Sequence, residues 1–293
     1  MNHYKERLYF FSDLDGTLLY KKSGNLYPSL RNERVIQNFV GSGHSFIMAT
    51  GRGYADIKTI AENLNSPVEY AITNNGAFIY KNREEIFSNT LTSDQIENVL
   101  QAAAATKIKY NEALLFVENG DVYMRGKDIL GTIRRFAAAI KRKRRTHFWK
   151  DRTLDNLLQK NLRFPKICFI IYNREAVIKL EDALKAAFGN QLSIYCSSPF
   201  CLEICDANVN KANAIKLIAQ RENLTMEQIA FVGDSGNDVC VFQECTHTYI
   251  MSHAHERYHV NGVKVVDDVA DAILDFSLYH KTKEEQDVAG IDE

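Results

Sequence analysis

Apolar positions in this chain gather into short unbroken runs. Leu8-Tyr9-Phe10-Phe11, Phe46-Ile47-Met48-Ala49, Tyr70-Ala71-Ile72 and Ala230-Phe231-Val232 have no polar residue between neighbours. A strand with one solvated face alternates apolar with polar, whereas one buried on both faces reads as continuous apolar sequence. Between the first three runs the period becomes helical. One helix is expected over about Arg31 to Val40, with Val35, Ile36 and Phe39 on one face and Gly41-Ser42-Gly43 ending it, and a second from about Tyr54 to Leu64. Past Lys211 the pattern resumes: a helix over Ala212 to Gln220, a strand Gln228 to Val232, strands Thr248 to Met251 and Val263 to Val266, and a final helix over Val269 to Leu278. Strands alternating with helices at this spacing predict an α/β fold, a Rossmann-like doubly wound parallel sheet.

From about Arg83 to Cys205 the texture changes. Helical stretches (Ser93 to Ala105, Ile129 to Lys141, Ala176 to Phe188) mix with short strands at Leu114 to Val117, Val122 to Met124 and Ile167 to Ile171. A mixed α+β pattern between two halves of one sheet reads as an inserted domain, residues 85–204, in a core made of residues 1–84 and 205–293. A chain of 293 residues, 45% hydrophobic, is long enough for two cores. Its formal net charge of −1 gives no general attraction to nucleic acid or membrane, and no apolar stretch approaches the length of a spanning helix. Met1 to Arg7 is polar, and the apolar run behind it is too short for a signal-peptide core. Six cysteines without a dense framework suit free thiols in a reducing cytoplasm. The oligomeric state stays open.

Candidate chemistry lies at the strand ends. Asp13 and Asp15 follow the first strand at i, i+2, where extended backbone sends both carboxylates to one face. Two like charges there repel unless a cation lies between them. An acidic loop on a solvated edge is the bland alternative. Thr50-Gly51-Arg52 ends the second strand, and a hydroxyl with backbone N–H groups at such a place suits phosphate. Asn74-Asn75-Gly76 ends the third and reads equally as a hairpin turn or as part of a site. Lys211 stands at a helix start, where the dipole opposes a cation unless an anion shares the space. Gly233-Asp234-Ser235-Gly236-Asn237-Asp238 brings two more carboxylates in a glycine-containing turn, a ligand set for a hard divalent cation.

Three other groupings carry weaker signals. Lys141-Arg142-Lys143-Arg144-Arg145, with Phe148 and Trp149 beyond, reads as a polyanion patch or, with the charge near zero, as the solvated end of a helix. Cys196, Cys201 and Cys205 invite a zinc reading, but their spacing fits buried structural thiols better. His247, His253, His255 and His259 match no defined metal spacing.

Asp-Leu-Asp-Gly-Thr at 13–17, Ala-Thr-Gly-Arg at 49–52, Val-Asn-Lys at 209–211 and Gly-Asp-Ser-Gly-Asn-Asp at 233–238 occur in the order of the four motifs of the haloacid dehalogenase-like (HAD) phosphohydrolases. The second and third resemble the Cof-type branch and the last its sucrose-phosphatase-like members. Two departures are visible: Ala212 stands where such relatives carry Gly, and Ser252-His253-Ala254-His255 replaces an Asn-Ala pair. The resemblance implies a HAD core with an α+β cap. It implies a Mg²⁺-dependent phosphatase that hydrolyses a small phosphorylated metabolite, a sugar phosphate by analogy, through an aspartyl-phosphate. Asp13 would be nucleophile and Asp15 acid and base. Thr50, Gly51 and Lys211 would bind phosphate, and Asp13, Asp15 (through its main-chain carbonyl) and Asp234 would hold Mg²⁺. Asn237, Asp238, Asn75 and Arg52 would support them. Neither nucleic acid nor membrane is expected as a partner. The alternatives are a phosphomutase or phosphotransferase on the same core, a phospho-acceptor signalling domain, and a non-catalytic phosphate- or polyanion-binding module.

Overall fold

The computed structural model describes residues 6–22, 25–64, 66–126, 146–148 and 154–289. The expected helix Ile129 to Lys141, the basic run Lys141 to Arg145 and Trp149 lie outside them.

The apolar runs form the middle of an eight-stranded sheet in the order Lys264–Val266, His247–Met251, Ile229–Gly233, Tyr9–Ser12, Ser45–Ala49, Tyr70–Thr73, Phe78–Lys81, Glu84–Ser88. The first six are mutually parallel, and the last two turn back antiparallel. Successive residues of Tyr9–Ser12 serve opposite layers. Phe10 packs with Ile36 and Phe39 of helix Leu30–Gly41, Ile57 and Ile60 of helix Tyr54–Leu64, and Ile273 and Phe276 of helix Val269–Ala289. Tyr9 and Phe11 pack with Ala212, Ile215 and Ile218 of helix Lys211–Glu222. The central strands are therefore apolar along most of their length, because both of their faces are covered by helices. Neighbouring core residues bury enough apolar area to contribute roughly 1.5–3 kcal/mol for each large side chain.

A second, six-stranded sheet runs Thr146–Phe148, Val122–Gly126, Glu112–Phe116, Lys166–Ile170, Cys201–Asp206, Leu192–Ser198. Helices Ser93–Ala105 and Arg174–Phe188 cover one of its faces through Ile96, Val99, Leu180 and Leu184. This is the α+β insertion. Strand Glu84–Ser88 pairs with Phe78–Lys81 and belongs to the core sheet, and Cys201–Asp206 belongs to the inserted sheet to its last residue.

Leu192–Ser198 was not expected as a strand, although Leu192, Ile194 and Cys196 are buried in alternation along it. The final helix continues past Leu278 to Ala289, over a polar stretch with no apolar period to signal it. Among the described residues no helix is long and apolar enough to cross a membrane.

Candidate active site

In an open parallel sheet ligands gather where the chain reverses its direction of winding, outside the carboxyl ends of the strands. Here that place lies between Tyr9–Ser12 and Ile229–Gly233. The chain builds outward from the first strand toward Ser45–Ala49 and Tyr70–Thr73, and later outward the other way from Ile229–Gly233. Asp13 follows one of these two strands and Asp234 the other, and the Asp13 amide donates to the Val232 carbonyl at 2.9 Å. Carboxylate oxygens of Asp13, Asp234 and Asp238 all lie within 4.8 Å of one another. Gly16 makes the approach possible. Its φ is +87°, and a Cβ there would come within 2.4 Å of an Asp234 oxygen.

Lys211 is the first residue of its helix, capped by the Asn210 side chain, which accepts from the Asn213 amide at 2.8 Å. Its ammonium is fully buried and donates to Asp13 at 2.5 Å and to Asp238 at 2.6 Å. Asp238 also accepts from the amides of Asp234 and Ser235 at 2.9 and 3.0 Å, so one carboxylate both folds the loop and aims the lysine. Its contacts are those of a residue that holds Lys211 in place. Burial pushes the Asp13 carboxyl well above its ordinary range, opposed by Lys211 and reinforced by Asp238 and Asp234. Burial, then Asp238, lifts Asp234 to about 6. Burial works against charge on Lys211, but Asp13 and Asp238 outweigh it and hold the ammonium raised.

Two of the three carboxylates thus share one ammonium. Asp234 has only the Thr17 hydroxyl, at 3.2 Å, on its carboxylate and forms no ion pair among the described residues. Hard oxygen donors converging with excess negative charge fit a divalent cation such as Mg²⁺.

Asp15 goes elsewhere. Its carboxylate is about half exposed and is gripped at both oxygens by Arg52, at 2.7 and 2.5 Å. Its side chain is not among the clustered carboxylates. Thr50 is buried, and its hydroxyl accepts from the Arg52 amide at 3.2 Å. The Asn74–Gly76 turn, with Asn74 and Asn75 at φ 49° and 61°, sends the chain back into Phe78–Lys81, while the buried Asn75 side chain points into the site.

Two further residues reach this place with no sequence signal to announce them. Lys166 and Glu203, on adjacent strands of the inserted sheet, form a buried ion pair at 2.9 Å. Lys166 also donates to the Gly51 carbonyl at 2.9 Å, and Glu203 accepts from Asn75 Nδ2 at 2.6 Å. Each lies in a strand of mostly apolar residues, and only tertiary placement brings it to the core.

The other groupings resolve otherwise. All six cysteines are free. Cys196 and Cys205 are buried, as structural thiols would be, and the half-buried Cys201 approaches Cys168 and Glu203. The four histidines form no cluster either: His247 packs on Phe276, Tyr279 and His280, away from His253 and His255 beside Ser235.

Fold and site together define a doubly wound α/β protein with a carboxylate cluster and a buried lysine at its switch point. The profile of the haloacid dehalogenase-like hydrolases matches residues 10–274. A Mycoplasma pneumoniae protein named "Putative phosphatase" is 30% identical over 251 residues, covering 80% of this chain and 82% of its own. A Buchnera aphidicola protein of the same name is 28% identical over 228 residues, with 78% and 79% covered. A haloacid dehalogenase-like hydrolase from B. subtilis superposes with a TM-score of 0.73 at 21% identity, covering 90% of this chain and 98% of its own. A HAD subclass IIB sugar phosphatase does so at 0.72 and 16%, covering 92% and 99%. These two likenesses establish the fold. The chain belongs to the haloacid dehalogenase-like hydrolases and is an enzyme of that class.

Proposed function

We propose that this hydrolase, a phosphatase like its curated relatives, is a Mg²⁺-dependent enzyme that cleaves small phosphomonoesters through an aspartyl-phosphate on Asp13. The observation that carries the reading is the meeting of Asp13, Asp234 and Asp238 within 4.8 Å around a fully buried Lys211.

Asp13 attacks phosphorus in line, forming an Asp13 Oδ–P bond as the bond from phosphorus to the ester oxygen breaks. Asp15 gives its proton to the departing oxygen, then takes one from the water that cleaves the acyl phosphate. For this its carboxyl must leave Arg52, which grips it in the structure. Lys211 and the Thr50 hydroxyl hold the transferring phosphoryl oxygens, whose growing charge needs fixed donors. Asp13 and Asp234, with the Asp15 main-chain carbonyl, would hold Mg²⁺, which when bound screens the nucleophile from the phosphate dianion. Asp238 keeps Lys211 aimed at Asp13.

A cleft of about 250 Å³ opens beside Asp234 and Ser235, bounded by Cys196 to Pro199 of the inserted domain. That volume suits a leaving group of sugar size. The sucrose-phosphatase-like wording at Ser235 and the shared fold with a sugar phosphatase support sugar phosphates. Six free thiols support a cytoplasmic setting. The test is release of inorganic phosphate from a panel of phosphorylated metabolites with Mg²⁺ and with EDTA. Turnover of small phosphomonoesters that needs the ion is expected. Transfer of phosphate from a bisphosphorylated hexose to a second sugar, without release, would make the enzyme a phosphotransferase instead.

A further inference from the structure

Lys166 and Glu203 lie in the inserted sheet, yet what they bind is the core. The Glu203 carboxylate can only accept hydrogen bonds when ionised. One oxygen takes the Ser197 hydroxyl at 2.8 Å; the other takes Lys166 at 2.9 Å and Asn75 Nδ2 at 2.6 Å. That fixes the orientation of the Asn75 amide, because its nitrogen must face Glu203 and its oxygen must face away. The oxygen then accepts from Asn237 Nδ2 at 2.9 Å, leaving the Asn237 oxygen to accept from the Ser235 hydroxyl at 2.6 Å. One carboxylate thereby sets the direction of every bond in a line that ends in the loop carrying Asp234.

Lys166 acts on the other loop. It donates to the Gly51 carbonyl at 2.9 Å, within Thr50-Gly51-Arg52. Gly51 itself lies against Asn75, where a Cβ would meet the amide oxygen at 3.0 Å, so the two branches of the line are packed together. A buried ion pair is a poor source of net stability, because desolvating both charges offsets most of their attraction. Its contribution here is directional.

Resting on the phosphatase reading, we infer that Lys166 and Glu203 are positioning residues through which the inserted domain sets the geometry of both the phosphate-binding loop at 50–52 and the cation-binding loop at 233–238. The inserted sheet is then part of the catalytic apparatus at its base, in addition to any contact with the leaving group.

The test compares wild type, Lys166→Met and the charge-neutral double variant Lys166→Met/Glu203→Gln, in which the amide oxygen introduced at position 203 can still accept from Asn75. The readouts are kcat and KM for p-nitrophenyl phosphate with Mg²⁺, the rise in Tm on adding Mg²⁺, and hydrogen exchange of peptides over 50–53, 74–77 and 233–238. The double variant is expected to fold and to keep its Mg²⁺-dependent rise in Tm. Its kcat should fall on the order of 10–100-fold, as for a displacement of about 1 Å in a reacting group, with KM within about threefold. Lys166→Met alone, which leaves the Glu203 charge buried without its partner, should have a lower Tm than the double variant. Exchange should quicken at 50–53 and 74–77. Wild-type kcat in the folded double variant, or faster exchange confined to the inserted sheet, would overturn the inference. If wild type hydrolyses no phosphomonoester, the phosphatase reading fails by itself, while hydrogen exchange still decides whether the pair orders these loops.

Discussion

Two buried lysines, Lys211 and Lys166, meet carboxylates in opposite proportions. Lys211 is bonded to Asp13 and Asp238 with Asp234 close by, three acids around one base. Lys166 faces Glu203 alone, and its other hydrogen bond goes to a neutral carbonyl. The first arrangement gathers more acids than bases in a buried place, and in the function proposed above a cation completes it. The second is neutral within itself and contributes direction. Burial of a charged pair therefore says little until the charges around it are counted.

The sharpest way to break this contrast is to remove an acid from each. Asp13→Asn should lower turnover of an aryl phosphate on the order of 10⁴-fold or more, since the attacking oxygen is lost. In metal-free buffer it should leave Tm unchanged or higher, because one of three repelling carboxylates has gone while Asp238 still holds Lys211. Glu203→Gln should lower Tm, since it leaves Lys166 buried without a counter-charge. The same sign for both in thermal unfolding would erase the distinction. Asp15→Ala should lower turnover roughly 10²–10⁴-fold by removing the acid and base, with little change in Tm, because its half-exposed carboxylate is outside the cluster. Steady-state kinetics beside a thermal melt checks both parts.

Lys211→Met removes the base from the three-to-one cluster. Activity should fall about 10²–10³-fold, and metal-free stability by roughly 3–5 kcal/mol in urea unfolding, because two buried carboxylates lose their only described ion-pair partner. The smallest effect is on pH dependence. Asp234 titrates near 6 in the folded metal-free protein, above its ordinary 3.8. The folded state therefore keeps a proton between those values that the unfolded chain releases, so this group's contribution to stability is lost as pH rises toward 6. Mg²⁺ binds the ionised form. The rise in Tm on adding Mg²⁺ should accordingly be larger at pH 7 than at pH 5, and an equal rise at both would count against Asp234 as ligand.

The contrast also marks what could be read from the sequence. Asp13, Thr50 and Asp234 are polar residues at the edges of apolar runs, and Lys211 stands at a helix start; a charge at the end of a buried strand is conspicuous in one dimension. The parallel core was legible for the same reason, since strands covered on both faces carry unbroken apolar runs. Lys166 and Glu203 have no such mark. They pair through neighbouring strands far apart in sequence and reach Gly51 and Asn75 through packing between two sheets. Asp15 could be placed but its partner could not, because Arg52 comes to it from the next strand's end. Leu192–Ser198 stayed hidden because a half-buried strand with serine and cysteine alternates too weakly to stand out.

The central claim is that Asp13 becomes covalently phosphorylated during turnover. Asp15→Ala protein, mixed with Mg²⁺ and an aryl phosphate, quenched in acid and digested, should yield a phosphoryl adduct on the peptide containing Asp13. That adduct should be absent when EDTA replaces Mg²⁺. An adduct on another residue, or wild-type protein that turns over substrate while Asp13→Asn does so equally well, would contradict the account.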